Sequence, residues 1–212
     1  MRRGAWLATL TLGGLIGWAT TGLFPRPPLP PWEAVTSQWG ARNAVAAVVL
    51  GARLYDTLLE VLVFSMALVG VRWALRPLPQ TEGRPPVAES PLLERAADVL
   101  LPAIGVFGVY LAASGHLGPG GGFPAGAILG SGLLLLALAR GIRALARELP
   151  QPLLSRLEYG GLAALIVLGG GSLTLGWRGA WLLVLANLLI LAKVSTGAWV
   201  VLEHFAAHRG EV

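Results

Sequence analysis

Cysteine is absent from this chain, histidine appears three times, and charged residues make up only 13% of the sequence. Without thiolates there are no iron–sulfur clusters, no thiolate zinc sites and no disulfides. The histidines, His116, His204 and His208, are too few and too scattered for a haem or a histidine-bound metal, so no resident cofactor or metal is expected. A soluble domain carries about 25% charged residues. Here 55% of the 212 residues are hydrophobic and mean hydropathy is +0.68, which makes the chain an integral membrane protein. The net charge of +5 does not point to nucleic acid, because the basic residues lie between apolar runs rather than in one patch.

What is present is a series of apolar windows, each about 20 residues long and so able to span a bilayer as a helix. Six stand out: Ala5–Leu23, Tyr55–Leu75, Ala96–Ser114, Phe123–Ala144, Leu157–Leu175 and Ala180–Leu202. The fold expected is all-α and polytopic, with about six transmembrane helices. The run after Met1-Arg2-Arg3 is too long for a signal peptide and lacks a clean cleavage site, so it reads as a retained first span. Asn43–Leu50 is apolar but too short to span. It is either a half-helix at the interface or an extension of the second span broken near Gly51.

Arginine sets the orientation. With the N-terminus inside, eleven basic residues fall in inside loops (Arg2, Arg3, Arg72, Arg76, Arg84, Arg95, Arg140, Arg143, Arg147, Arg156 and Arg209) and three outside (Arg26, Arg42 and Arg178). That bias places both termini in the cytoplasm of a multi-pass protein of the cell inner (plasma) membrane. The proline-rich polar stretch 77–91 reads as a cytoplasmic linker between a two-helix segment, 1–76, and a four-helix domain, 92–212. No internal repeat marks a duplicated transporter.

Three polar places interrupt the apolar runs. Arg53, Asp56 and Glu60 share one face of the second span by their spacing, which suits an ion or proton path, a contact with another protein, or a salt-bridge cluster at the helix end. Lys193 lies near the middle of the last span, where a lysine costs about 2.5–3.5 kcal/mol to insert. It is either a proton-relay group or a cation that snorkels or pairs with a neighbouring carboxylate. His116 lies in the segment Ser114–Gly126, S-G-H-L-G-P-G-G-G-F-P-A-G, whose six glycines and two prolines exclude a helix interior and require a tight hairpin. It suits a proton shuttle or a capping role. Ser114 beside His116 offers no third residue or oxyanion arrangement for a protease, and no enzyme is expected.

The hairpin carries a family resemblance. Gly115–Gly126 is similar to the signature G-H-x-x-P-G-G-G-F-x-x-G of the MnhB (MrpB) family, a component of Mrp-type sodium/proton antiporters. Gly115, His116, Pro119, Gly120, Gly121, Gly122, Phe123 and Gly126 stand in the matching places. Pro124 departs from it and shifts the expected start of the following span. Upstream, Asn43–Glu60 resembles the C-terminal segment of MrpA, the large component of the same antiporters, and a small component of membrane-bound hydrogenases. Asn43, Val45, Arg53, Asp56, Thr57 and Glu60 carry that likeness, and Val48 stands where isoleucine is usual.

The resemblance implies a membrane subunit of a hetero-oligomeric Na+/proton antiporter. Its partners would be other membrane subunits, and Na+ and H+ its transported ions. The alternatives are the same module in a hydrogenase or related respiratory complex, or a purely scaffolding subunit. Asp56, Glu60, Lys193 and His116 are the candidates for an ion or proton path. The orientation has a direct check. A cysteine placed at Gly118 should react with an impermeant external thiol reagent, and one at Gly83 should not. Labelling at Gly83 in intact cells would overturn the topology.

Overall fold

The computed structural model describes residues 31–75 and 91–207. The chain divides into two compact units, 1–32 and 33–212, and the second carries the features that follow. The first expected span, Ala5–Leu23, and most of the 77–91 linker lie outside the described residues. Among the described residues every regular element is helical.

A short surface helix α1 (Trp32–Trp39) precedes α2 (Ala44–Ala47), which runs directly into a π-helical segment, Val48–Ala52. Arg53 then breaks the helix with φ −120° and ψ 31°, and the first long apolar helix, α3 (Leu54–Leu75), begins one residue later. Asn43–Leu50 is therefore a separate short helical segment, hinged at Arg53, that leads into the span. α4 (Pro91–Ser114) ends at the glycine hairpin and α5 (Gly122–Arg140) leaves it. Pro124 does not delay this helix. It sits in the first turn, where a backbone N–H has no partner within the helix.

The fourth expected span, Phe123–Ala144, is shorter than its apolar window because Gly141, at φ +84°, turns the chain into a separate short helix, α6 (Ile142–Glu148). The next span starts earlier than Leu157. α7 (Gln151–Ser155), a second π-helical segment (Arg156–Gly160) and α8 (Gly161–Thr174) form one continuous helix. Last comes α9 (Ala180–Ala207). Five helices among the described residues are long and apolar enough to cross a membrane: α3, α4, α5, residues 152–174 and α9.

α9 is the centre of the assembly. Half of its apolar window is buried inside the chain, against 17% for α3 and α4. It contributes to three apolar clusters: one with α1, α2, α3 and α8 around Trp39, Val61, Leu165 and Ile190; one with α5 and α6 around Leu136, Leu145 and Trp199; and one with α4 and α5 around Ala112, Ala125 and Leu191. Lipid chains are as apolar as leucine, so close packing rather than water exclusion must join these helices.

The sequence supplies that closeness through glycines four residues apart on one face of α5. A Cβ on Gly122 would fall 2.5 Å from the Asn187 carbonyl oxygen, on Gly126 2.5 Å from Val194 Cβ, and on Gly130 2.7 Å from Ala198 Cβ. Any side chain on this face would force the helices apart. Gly126→Val should therefore destabilise the folded chain by about 1–3 kcal/mol, the usual cost of overpacking. It should appear as a lower thermal midpoint in detergent. Gly118→Ala, where a Cβ meets nothing within 4 Å, is the matched control and should leave the midpoint unchanged.

Candidate functional site

Three polar centres interrupt the apolar packing, and they differ in how their charges and hydrogen bonds are met.

The first joins the two sequence motifs. The Asn43 side-chain amide donates to the carbonyls of Gly115 at 2.9 Å and Gly118 at 2.8 Å, while the backbone N–H groups of Arg42 and Asn43 both reach the His116 carbonyl, at 3.0 and 3.1 Å. Asn43 also caps α2 by accepting from Val45 N. Within the hairpin, Gly121 N donates to Leu111 O at 3.0 Å, and a Cβ on Gly120 would sit 2.6 Å from that same carbonyl. The His116 ring meets the Ala113 carbonyl of its own turn, at 3.0 Å. Pro119 is exposed near the tip, and Phe123 packs on the largest apolar cluster.

Behind the hairpin lies a cavity of about 120 Å³, lined by Asn43, Thr57, Gly121, Phe123, Asn187 and Ile190 among others. Asn187, 2% exposed, accepts from Gly122 N at 2.8 Å, and its amide nitrogen has no partner among the described residues. Thr57 donates to Val49 O at 2.9 Å, taking up a carbonyl of the first π segment.

The second centre is the charged stripe of α3. Arg53 and Asp56 form an ion pair, with Arg53 Nε to Asp56 Oδ2 at 2.6 Å, and the side chains are 64% and 32% exposed. Glu60 lies on the same face, exposed, in an open groove with Leu59, Val63, Phe64 and Ala67. It makes no ion pair or hydrogen bond with the described residues. The stripe looks away from the chain's interior. Spacing alone shows that the three residues share a face, not which way that face points.

The third centre is buried. Lys193 Nζ lies 3.6 Å from Glu158 Oε1, and both side chains are almost fully enclosed, at 0% and 2% exposure. Arg72 grips the same carboxylate with two nitrogens, Nη1 to Oε1 at 3.2 Å and Nη2 to Oε2 at 2.6 Å, and its Nη1 also donates to the Tyr159 hydroxyl at 2.9 Å. α3, the second π segment and α9 each supply one member.

Sequence reasoning missed two of these three residues. An apolar window beginning at Leu157 leaves Glu158 at its edge, and Arg72 falls into the set of orienting arginines. The signal was the lone mid-span lysine. Such a cation needs a carboxylate, and Glu158 is an acid at the edge of an apolar window in the later helices. Lys193 and Glu60 are not brought together, and His116 touches neither.

Against known proteins, the sequence matches over residues 92–205 the family described as a domain related to the MnhB subunit of Na+/H+ antiporter. A search of curated proteins gives no significant match. Among solved structures, the chain is similar to one from the membrane-bound sulfane sulfur reductase, an archaeal respiratory membrane complex. The identity is 29% and the TM-score 0.70, over 97% of this chain and 98% of that one. A chain of the Mrp complex from Dietzia sp. shares its fold at 22% identity and TM-score 0.66. There the match covers 96% of this chain but only 26% of that chain.

The clamp on the hairpin has a measurable weight. Asn43→Ala leaves the Gly115 and Gly118 carbonyls without their donor, a loss of about 1–3 kcal/mol of local stability. Amide exchange at residues 117–121, followed by mass spectrometry, should speed up accordingly. Unchanged protection there would show that the hairpin holds itself.

Proposed function

The chain belongs to the family of domains related to the MnhB subunit of Na+/H+ antiporters, and from that premise we propose that it serves as a non-enzymatic membrane subunit of a hetero-oligomeric cation/proton antiporter module. The family match over residues 92–205 carries this reading. Na+ and H+ are the ions proposed to move through the assembled complex.

The outward stripe of α3 supports a role at the contact between this chain and a neighbour. Glu60 is six residues into α3, about 9 Å along the helix, with apolar neighbours and no partner among the described residues. A bare carboxylate is costly in hydrocarbon. It is stable there only with a cation, a proton or a polar surface supplied from outside this chain. Together with Asp56 and Arg53 it forms one side of a proposed ion path whose other side belongs to a neighbouring subunit.

A second assembly has its own support. The likeness to a chain of the membrane-bound sulfane sulfur reductase runs nearly end to end in both proteins. The same module therefore suits a respiratory membrane complex, in which it would couple ion movement to a redox partner.

Two measurements test these readings. Gently solubilised protein from its native host should copurify with other membrane subunits, and the identity of the largest partner separates antiporter from respiratory complex. A monomer without partners would overturn both. In vesicles containing the assembled complex, Glu60→Gln should lower cation-dependent proton exchange by on the order of 100-fold, the scale of losing a proton-carrying group, while the set of copurifying subunits stays the same. Full exchange in that variant would leave the chain as a scaffold.

A further inference from the structure

Outside the stripe, the chain encloses a charged group that its packing does not require. Lys193, Glu158 and Arg72 place two cations on one carboxylate inside an apolar bundle. Arg72 takes both oxygens of Glu158 in a fork, the geometry that best satisfies a carboxylate. Lys193 is left 3.6 Å away, beyond hydrogen-bond distance, and its Nζ is buried with no hydrogen-bond partner among the described residues. The charged groups acting on Lys193 are Glu158 and Arg72. Tyr159 enters through Arg72. On the helices that pack most closely on α9, Asp98 of α4 pairs with Arg140 of α5 at 2.8 Å, Arg140 also lies 4.0 Å from Glu148 of α6, and Glu94 and Arg95 of α4 are exposed.

Residue choice sharpens the point. Of the sixteen basic residues in the chain, fifteen are arginine and Lys193 is the only lysine. Arginine does not deprotonate in proteins, whereas lysine does so readily when buried. The chain's single lysine thus occupies a fully enclosed site. Exposure also falls in order along the cluster, from 29% at Arg72 through 2% at Glu158 to 0% at Lys193. Glu158 rides on a π-helical segment that ends at Gly160 and leads into Gly161, a local widening of the helix that often marks functional positions.

We infer that Arg72, Glu158 and Lys193 form a proton-exchange site in which Lys193 alternately holds and releases a proton through Glu158. In the loaded state Lys193 is an ammonium and the cluster carries one excess positive charge. On release, the Nζ–H bond breaks and the proton passes to Glu158 Oε1, leaving a neutral amine and a neutral acid. The acid then hands the proton to water at the exposed Arg72 edge and returns as a carboxylate to the Arg72 fork. The released cluster is neutral, and reloading reverses each step. Arg72 and Tyr159 are positioning residues that hold Glu158 where both partners reach it. The site deepens the antiporter reading, on which its use in transport rests.

The decisive variant is Lys193→Arg, which keeps the positive charge and the ion pair but cannot give up a proton. In the purified complex with its partner subunits, reconstituted in vesicles, Lys193→Arg and Lys193→Met should both reduce cation-driven proton exchange by on the order of 100-fold. Retained activity in Lys193→Arg would overturn the proposal in favour of a static ion pair. A second measurement does not depend on how the variants fold or on transport. The wild-type complex is labelled with ¹³Cε-lysine, and the Lys193 resonance is identified as the one missing from Lys193→Arg. Its solid-state NMR shift should move from the ammonium to the amine position as pH is raised across the range in which the complex exchanges protons. A resonance that stays at the ammonium position throughout would sink the proton site. A wild-type complex with no cation-driven exchange, but with a titrating Lys193, would refute the antiporter reading while leaving the proton site standing.

Discussion

The approach of α5 to α9 along Gly122, Gly126 and Gly130 governs most of what lies inside the bundle. These contacts are set by main-chain atoms and by Cβ positions, so they leave no room for adjustment. The same contact aims the neighbours. With Ile190 and Val194 seated on the glycine face, Asn187 meets the first N–H of α5. Lys193, one position and so about 100° around the helix from Val194, turns toward Glu158. A methyl group on the glycine face would disturb the hairpin, the cavity and the buried cluster together, although it touches none of the charged groups.

The bundle handles its two charged centres in opposite ways. Arg72, Glu158 and Lys193 meet each other inside the chain and need nothing from outside to be compensated in part. Arg53, Asp56 and Glu60 face outward, and the last of them is uncompensated among the described residues. A chain built to be alone in lipid would not carry an open carboxylate on a membrane helix. The outward stripe and the exposed apolar faces of α3 and α4 are what the proposed contact with a neighbouring membrane subunit would cover.

How much of this was legible in the sequence follows from range. Composition and window length gave the helical class and located the later spans, because a bilayer imposes one length and one backbone solution. Ends were less legible. Gly141 ended α5 through a positive φ inside an apolar run, and α7 extended the next span past the residues that looked membrane-like. Long-range pairings were the least legible. Nothing local ties Glu158 to Arg72, 86 residues away, and spacing on α3 could not tell an inward stripe from an outward one. The hairpin and the Asn43 segment were each visible as motifs, but only the fold makes them one site. The retained first span and the division at 77–91 concern residues that lie largely outside those described.

That union has a consequence for how the hairpin tolerates change. Residues 42 and 43 grip it through the carbonyl oxygens of Gly115, His116 and Gly118, atoms that every amino acid possesses. The grip is blind to the identity of side chains at the tip and sensitive to the number of peptide units between its anchor points. Tip positions such as Leu117 and Pro119 are therefore free to vary in chemistry, while inserting or deleting a residue between His116 and Gly118 would shift the Gly118 carbonyl out of register with Asn43.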